Sequence, residues 1–194
     1  MKKLLCILLM LLLLPAAAPA ESADTITAEL LTLDMGDFTM NVFNIDAVQM
    51  GEKADGALWS RIYPAYNENA AFHDNIQIVW YETDLSESID LLGAELYANA
   101  LLSNMLDNYA AAGIAATNPQ LLSAQAKDSQ MVLLYCMDMD YSQVGLDLQI
   151  TMWQLQQYFM TADGTYCFTM TADSRNDLDL LVLYLGTVAF NFQQ

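Results

Sequence analysis

The stretch from Leu146 to Thr171 constrains this chain more than any other. Leu146, Leu148, Ile150 and Met152 alternate with Asp147, Gln149 and Thr151, the period of a strand with one buried face. Apolar residues then continue on odd positions, as Trp153, Leu155 and Phe159, with Gln154 and Gln156 on even ones. A one-residue slip in a period of two moves the apolar set to the other face, so the pattern predicts a β-bulge. Ala162-Asp163-Gly164-Thr165 follows, and Asp-Gly tolerates the positive φ angles of a tight type I′ hairpin turn. Tyr166–Thr171 returns as the partner strand.

The remaining elements fit a sheet of this kind. Thr27–Leu33 and Phe38–Phe43 read as strands around the turn Asp34-Met35-Gly36-Asp37, and Asn75–Tyr81 and Met131–Met139 read as two more. Residues Asp46–Ala57 read as loop, and so does Asp140–Gly145. Ala94, Tyr97, Leu101, Met105 and Tyr109 recur at threes and fours, which predicts a long helix with Ser86 or Ser88 capping its start. Gly113 suits the left-handed position after its end. A closing helix begins after Asp173-Ser174, with Leu178, Leu181, Val182, Leu185, Ala189 and Phe192 on one face. Antiparallel strands with helices packed against them make an α+β sandwich.

The N-terminus bears on where such a domain works. Lys2 and Lys3 precede an uncharged run, Leu4–Leu14, and Ala18-Pro19-Ala20 ends the segment. A basic head, a short apolar run and a small-residue end are the parts of a secretory signal. The run is too short for a spanning helix of about 20 residues. Residues 1–20 therefore read as a signal peptide cleaved before Glu21, residues 21–26 as a lead-in and residues 27–194 as one domain. No cysteine follows Ala20 closely enough for a lipid anchor, so the expected product is released outside the cell or into the periplasm, with no stable membrane anchor.

Beyond the signal, only Lys53, Arg61, Lys127 and Arg175 stand against 24 carboxylates. Nucleic acid binding depends on lysine and arginine displacing counterions, so a nucleic acid partner is not expected. A hydrophobic content of 55% argues against disorder in spite of the charge. Cys136 and Cys167 fall on strands flanking Leu146–Met160; two strand spacings of roughly 5 Å each hold them too far apart to bridge.

The last third also carries a resemblance. Gln157-Tyr158-Phe159, the turn Asp163-Gly164-Thr165, then Tyr166-Cys167-Phe168-Thr169 and a closing helix from Asp173 give the order of elements in the PsbP-like α/β/α sandwich. Photosystem extrinsic proteins share this fold with exported bacterial proteins of the PsbP, DcrB and LpqN kind. The resemblance covers Phe38 to Phe192 and implies a non-enzymatic accessory or binding role. It carries over no catalytic residue and no cofactor.

Candidate chemistry is sparse. His73 is the lone histidine, with no nucleophile or orienting carboxylate placed beside it, and reads as a residue of a surface turn. Asp138, Asp140 and Asp147 offer an oxygen cage for calcium, although Gln143 and Gln149 stand where a calcium loop requires glycine and glutamate. Trp59, Tyr63, Tyr66, Trp80 and Tyr81 cluster in sequence and suit a surface for a protein, peptide or glycan partner; they suit the edge of a core equally. The expected function is an exported, non-catalytic accessory or binding protein. The alternative is a secreted hydrolase with paired carboxylates.

Overall fold

The computed structural model describes residues 28–67 and 70–191. The expected signal peptide with its cleavage point, the lead-in and Phe192 lie outside them. Ten strands and three helices follow in order: β1 Leu30–Asp34, β2 Phe38–Phe43, β3 Ala47–Met50, β4 Leu58–Tyr63, β5 Asn75–Tyr81, α1 Ser86–Leu92, α2 Ala94–Ala111, β6 Ala115–Lys127, β7 Gln130–Asp140, β8 Gln149–Thr161, β9 Gly164–Ala172, α3 Arg175–Leu185 and β10 Ala189–Phe190. Seven strands form one antiparallel sheet in the order β3-β4-β5-β9-β8-β7-β6, and β1-β2-β10 form a smaller one.

The large sheet is covered on both faces. Helices α1 and α2 pack on one face, where Ala98 and Leu102 meet Leu133, Tyr135, Met137 and Met152. On the other face lie α3 and the small sheet, with Phe38, Met40, Leu178 and Leu181 against Ile62, Ile78, Phe168 and Met170. The result is an α+β fold in three layers, one outer layer being part sheet and part helix.

Double coverage corrects the bulge expected in β8. Pairing runs without a break from Gln149 to Phe159 against β7, and from Trp153 to Thr161 against β9. Even residues Met152, Tyr158 and Met160 face α1 and α2, while odd residues Trp153, Leu155 and Phe159 face the opposite core. A central strand needs apolar residues on both faces, and that mixture imitates a slip in register. The register shifts lie elsewhere, at Leu58/Ser60 in β4 and at Thr117/Gln120 and Leu121/Ser123 in the edge strand β6. Pro119 also lies in β6, where a missing N–H is tolerated at an edge.

Four more expectations change. The single long helix is two, because Gly93 adopts φ 76° and ψ 151°, a backbone state glycine reaches without strain. No serine side chain caps α1; instead the Asp84 carboxylate accepts the Ser86 N–H at 2.9 Å. The turn between β8 and β9 consists of Ala162 and Asp163, neither at positive φ, and Gly164 opens β9 at φ 139°. A Cβ on Gly164 would lie 2.2 Å from the Tyr81 carbonyl oxygen, so the glycine is there to let β5 approach. Residues 46–57, expected as loop, include β3. Gly113 takes φ 76° after α2, and Ser174 caps α3 by accepting the Asp177 N–H at 3.1 Å.

Candidate functional site

Where the core beneath the small sheet opens to solvent, five strands and a loop assemble an aromatic box. The bulge in β4 turns Trp59 into the core beside Ser60. Trp80 on β5 pairs across the sheet with Tyr166 on β9. Phe38 on β2 meets the edges of Trp59 and Tyr166 with ring centroids 5.7 and 5.9 Å away, and Phe190 on β10 lies 5.3 Å from Tyr166. Edge-to-face packing of this kind fixes the rings in place.

Lys53, on the loop between β3 and β4, inserts its ammonium among them. Nζ lies 4.5 Å from the Trp80 ring, 5.2 Å from Tyr166 and 5.4 Å from Trp59. Distances under about 6 Å place a cation within the attraction of the two tryptophan faces, while at Tyr166 it sits by the hydroxyl. Nζ also donates to the Asp37 carboxylate and to the Tyr166 hydroxyl, which in turn donates to Asp37 at 2.9 Å. Partial burial opposes the charge on Asp37, but the bonds from Lys53 and Tyr166 outweigh it and hold the carboxyl below its usual range. Burial, reinforced by Asp37, pushes the Tyr166 phenol well up, so it stays protonated and keeps that bond.

A second polar centre forms where β5 begins and α3 starts. Carboxylate oxygens of Asp74, Asp173 and Asp177 lie within 4.8 Å of one another. Asp74 is 1% exposed and accepts from the Tyr66 hydroxyl at 2.9 Å and from the Asp173 N–H at 3.3 Å. Burial pushes its pKa up to about 6; the two hydrogen bonds pull against this, and the charges of Asp173 and Asp177 add to it. A hard cation takes six or more oxygens, and Asp74 already spends both of its oxygens on protein donors.

The residues singled out in the sequence do not converge. Asp138 is engaged by Asn118 and Thr151, and Asp140 by the Ser142 N–H and Gln149. Among the described residues, the three-carboxylate grouping occurs at Asp74, Asp173 and Asp177, not at Asp138, Asp140 and Asp147. Of the five aromatics, Trp59 and Trp80 enter the box, Tyr81 packs on the opposite face of the sheet and Tyr66 binds Asp74. Tyr63 faces exposed His73 edge-on at 6.3 Å, and both line a groove of about 340 Å³ beside β3. Cys136 and Cys167 are free thiols. Asp37, Lys53 and Tyr166 escaped the sequence reading, since they lie on three separate elements and only the fold unites them.

No protein-family model and no curated protein matches the chain. Among solved structures, the chain is similar to cyanobacterial PsbP (CyanoP) from Synechocystis sp. PCC 6803, with 14% identity and a TM-score of 0.53 over 89% of this chain and 98% of that one. The Ran-binding protein Mog1p of Saccharomyces cerevisiae is also found, at 10% identity and a TM-score of 0.45 over 84% of this chain and 96% of that one. The likeness to CyanoP makes the fold PsbP-like.

Proposed function

We propose that this chain is an exported, non-catalytic binding protein acting at or outside the cell surface, whose recognition end is the aromatic box around Lys53. The observation that supports this most is chemical. Two tryptophan faces, a carboxylate and a phenol hydroxyl converge on one ammonium, a set of groups suited to holding a cation. The excess of carboxylates over basic residues adds a field that attracts a basic protein or peptide. The sequence of residues 1–20 supports export.

A hydrolase built on paired carboxylates draws on the Asp74, Asp173 and Asp177 grouping. Against it stand the burial of Asp74 and the commitment of both its oxygens to the Tyr66 hydroxyl and the Asp173 N–H. The test is calorimetric titration of the chain beginning at Glu21 with a lysine-rich peptide and with the same peptide acetylated. Binding that acetylation abolishes and salt weakens is expected; no heat from either peptide refutes the reading. N-terminal sequencing of the exported protein should start at Glu21.

A further inference from the structure

The box is occupied by the chain's own lysine, and its aromatic walls also have contacts of their own. Trp80 and Tyr166 are fixed as a cross-strand pair, and Phe38 braces Trp59 and Tyr166 from behind. Residues 51–56, which carry Lys53, are exposed. This loop is fastened near its ends. The Gly51 N–H donates to the Trp59 carbonyl, the Gly56 N–H donates to the Trp80 carbonyl at 2.9 Å, and Asp55 accepts the Glu82 N–H. Between those anchors the loop reaches the body of the protein through the Lys53 side chain, at the Asp37 carboxylate and the Tyr166 hydroxyl.

Building on the binding role proposed above, we propose that the Trp59–Trp80–Tyr166 box closed by Asp37 is a site for a primary alkylammonium group, and that Lys53 is a built-in competitor which the incoming group displaces. The chemistry selects the class. Ring faces accept any cation, but the Asp37 carboxylate and the Tyr166 hydroxyl are hydrogen-bond acceptors aimed at N–H donors. A primary ammonium supplies three such donors and a quaternary one none. The Lys53 and Tyr166 bonds outweigh the partial burial of Asp37 and hold its carboxyl below the usual range, so a cation facing it meets a charged acceptor. A lysine side chain and a free alkylamine share this chemistry.

The resident lysine lowers the apparent affinity by the fraction of time it leaves the box open. If that fraction is a tenth or less, removing Lys53 tightens binding by about ten-fold or more. Tryptophan emission reads the site directly, since two of the three tryptophans line it and the third, Trp153, can be replaced by Phe. In that Trp153→Phe background, protein with Lys53, with Lys53→Ala and with Lys53→Ala plus Asp37→Asn is titrated with n-butylammonium, N-butyltrimethylammonium and Nα-acetyl-lysinamide. Melting by circular dichroism confirms that each variant is folded.

Saturable quenching by n-butylammonium is expected, at least several-fold tighter in Lys53→Ala, lost with Asp37→Asn, and stronger than for the quaternary analogue. A response to Nα-acetyl-lysinamide equal to that for n-butylammonium assigns the site to lysine side chains, and a weaker one to free amines. Failure of folded Lys53→Ala to respond overturns the proposal, as does equal affinity with and without Lys53. A quaternary preference overturns the ligand class. Binding of n-butylammonium by Lys53→Ala with no binding of the lysine-rich peptide would leave this site standing and remove the wider function; the reverse pattern would overturn this site and leave a binding protein that recognises its partner elsewhere.

Discussion

Replacing Asp74 by asparagine should remove most of the pH dependence of stability between neutrality and mild acid. Asp74 is buried to 1% exposure, and its pKa rises from an ordinary 3.8 to about 6. A carboxyl whose folded pKa lies above its unfolded value is protonated more readily in the folded state, so stability rises as pH falls through the folded pKa and levels off below the unfolded one. A shift of this size corresponds to about 3 kcal/mol in full, of which about 2 kcal/mol appears between about pH 7 and pH 4.5. Asp173 is also shifted upward, chiefly by burial, and adds in the same direction. Asp37, Asp138 and Asp140 are shifted downward, so their stabilisation is lost only as pH falls through the ordinary carboxylate range and below. The assay is a urea midpoint at neutral and mildly acid pH, each at low and high salt. Asparagine keeps the bond from Tyr66 but offers the Asp173 N–H no acceptor on its amide side, a fixed cost of about 1 kcal/mol at every pH. The slope is therefore what is read, not the midpoint at one pH. Salt screens repulsion among exposed carboxylates but not the desolvation of Asp74, so the wild-type rise on acidification should survive high salt. An Asn variant with the full wild-type slope, or a wild type that loses stability on mild acidification, would refute the reasoning.

Gly164→Ala places a Cβ 2.2 Å from the Tyr81 carbonyl oxygen at φ 139°, and should cost at least about 3 kcal/mol in a thermal or urea melt, with no effect expected from Gly36→Ala beyond its positive φ. Ser174→Ala removes the cap of α3 and should cost about 1 kcal/mol by the same measurement. Burial pushes the Cys167 thiol up to about 11 and raises Cys136 as well, so neither should react readily with iodoacetamide at neutral pH in the folded chain, while both react in urea; rapid native labelling of Cys167 would contradict its burial.

Legibility in the sequence followed burial on one face. Phe38–Phe43 was readable to the residue, because its alternation is clean and turn residues bound it; Asn75–Tyr81 was readable from Ile76, Gln77 and Ile78, although Val79 and Tyr81 fill the opposite face. Strand β4 was not, since the bulge at Leu58/Ser60 sets Trp59 and Ser60 side by side in the core and breaks the period of two. Strand β6 was missed for a related reason. An edge strand with two register shifts and Pro119 has little apolar periodicity to show, and its inward residues are small, such as Ala116 and Ala124. The two-helix break was visible as Gly93, yet a single glycine inside a helical pattern does not by itself mark a break.

The box was half legible, and the missing half decides what it is. Trp59 and Trp80 drew attention as aromatics close in sequence, but that proximity grouped them with Tyr63, Tyr66 and Tyr81, which point elsewhere. What gives the two tryptophans a chemical role is a carboxylate at Asp37 and a phenol at Tyr166, which is 129 residues from it. Sequence periodicity reports which face a residue takes within its own strand, and it carries nothing about which strands become neighbours. The hairpin at Ala162-Asp163 fixes β8 beside β9, and the pairing of β5 with β9 then puts Trp80 against Tyr166. Only that long-range pairing closes the ring of groups around Lys53. Its strength should therefore follow the strand pairing rather than the loop: a substitution that loosens the β5–β9 contact at Gly164 should weaken the box even with Lys53 and Asp37 intact.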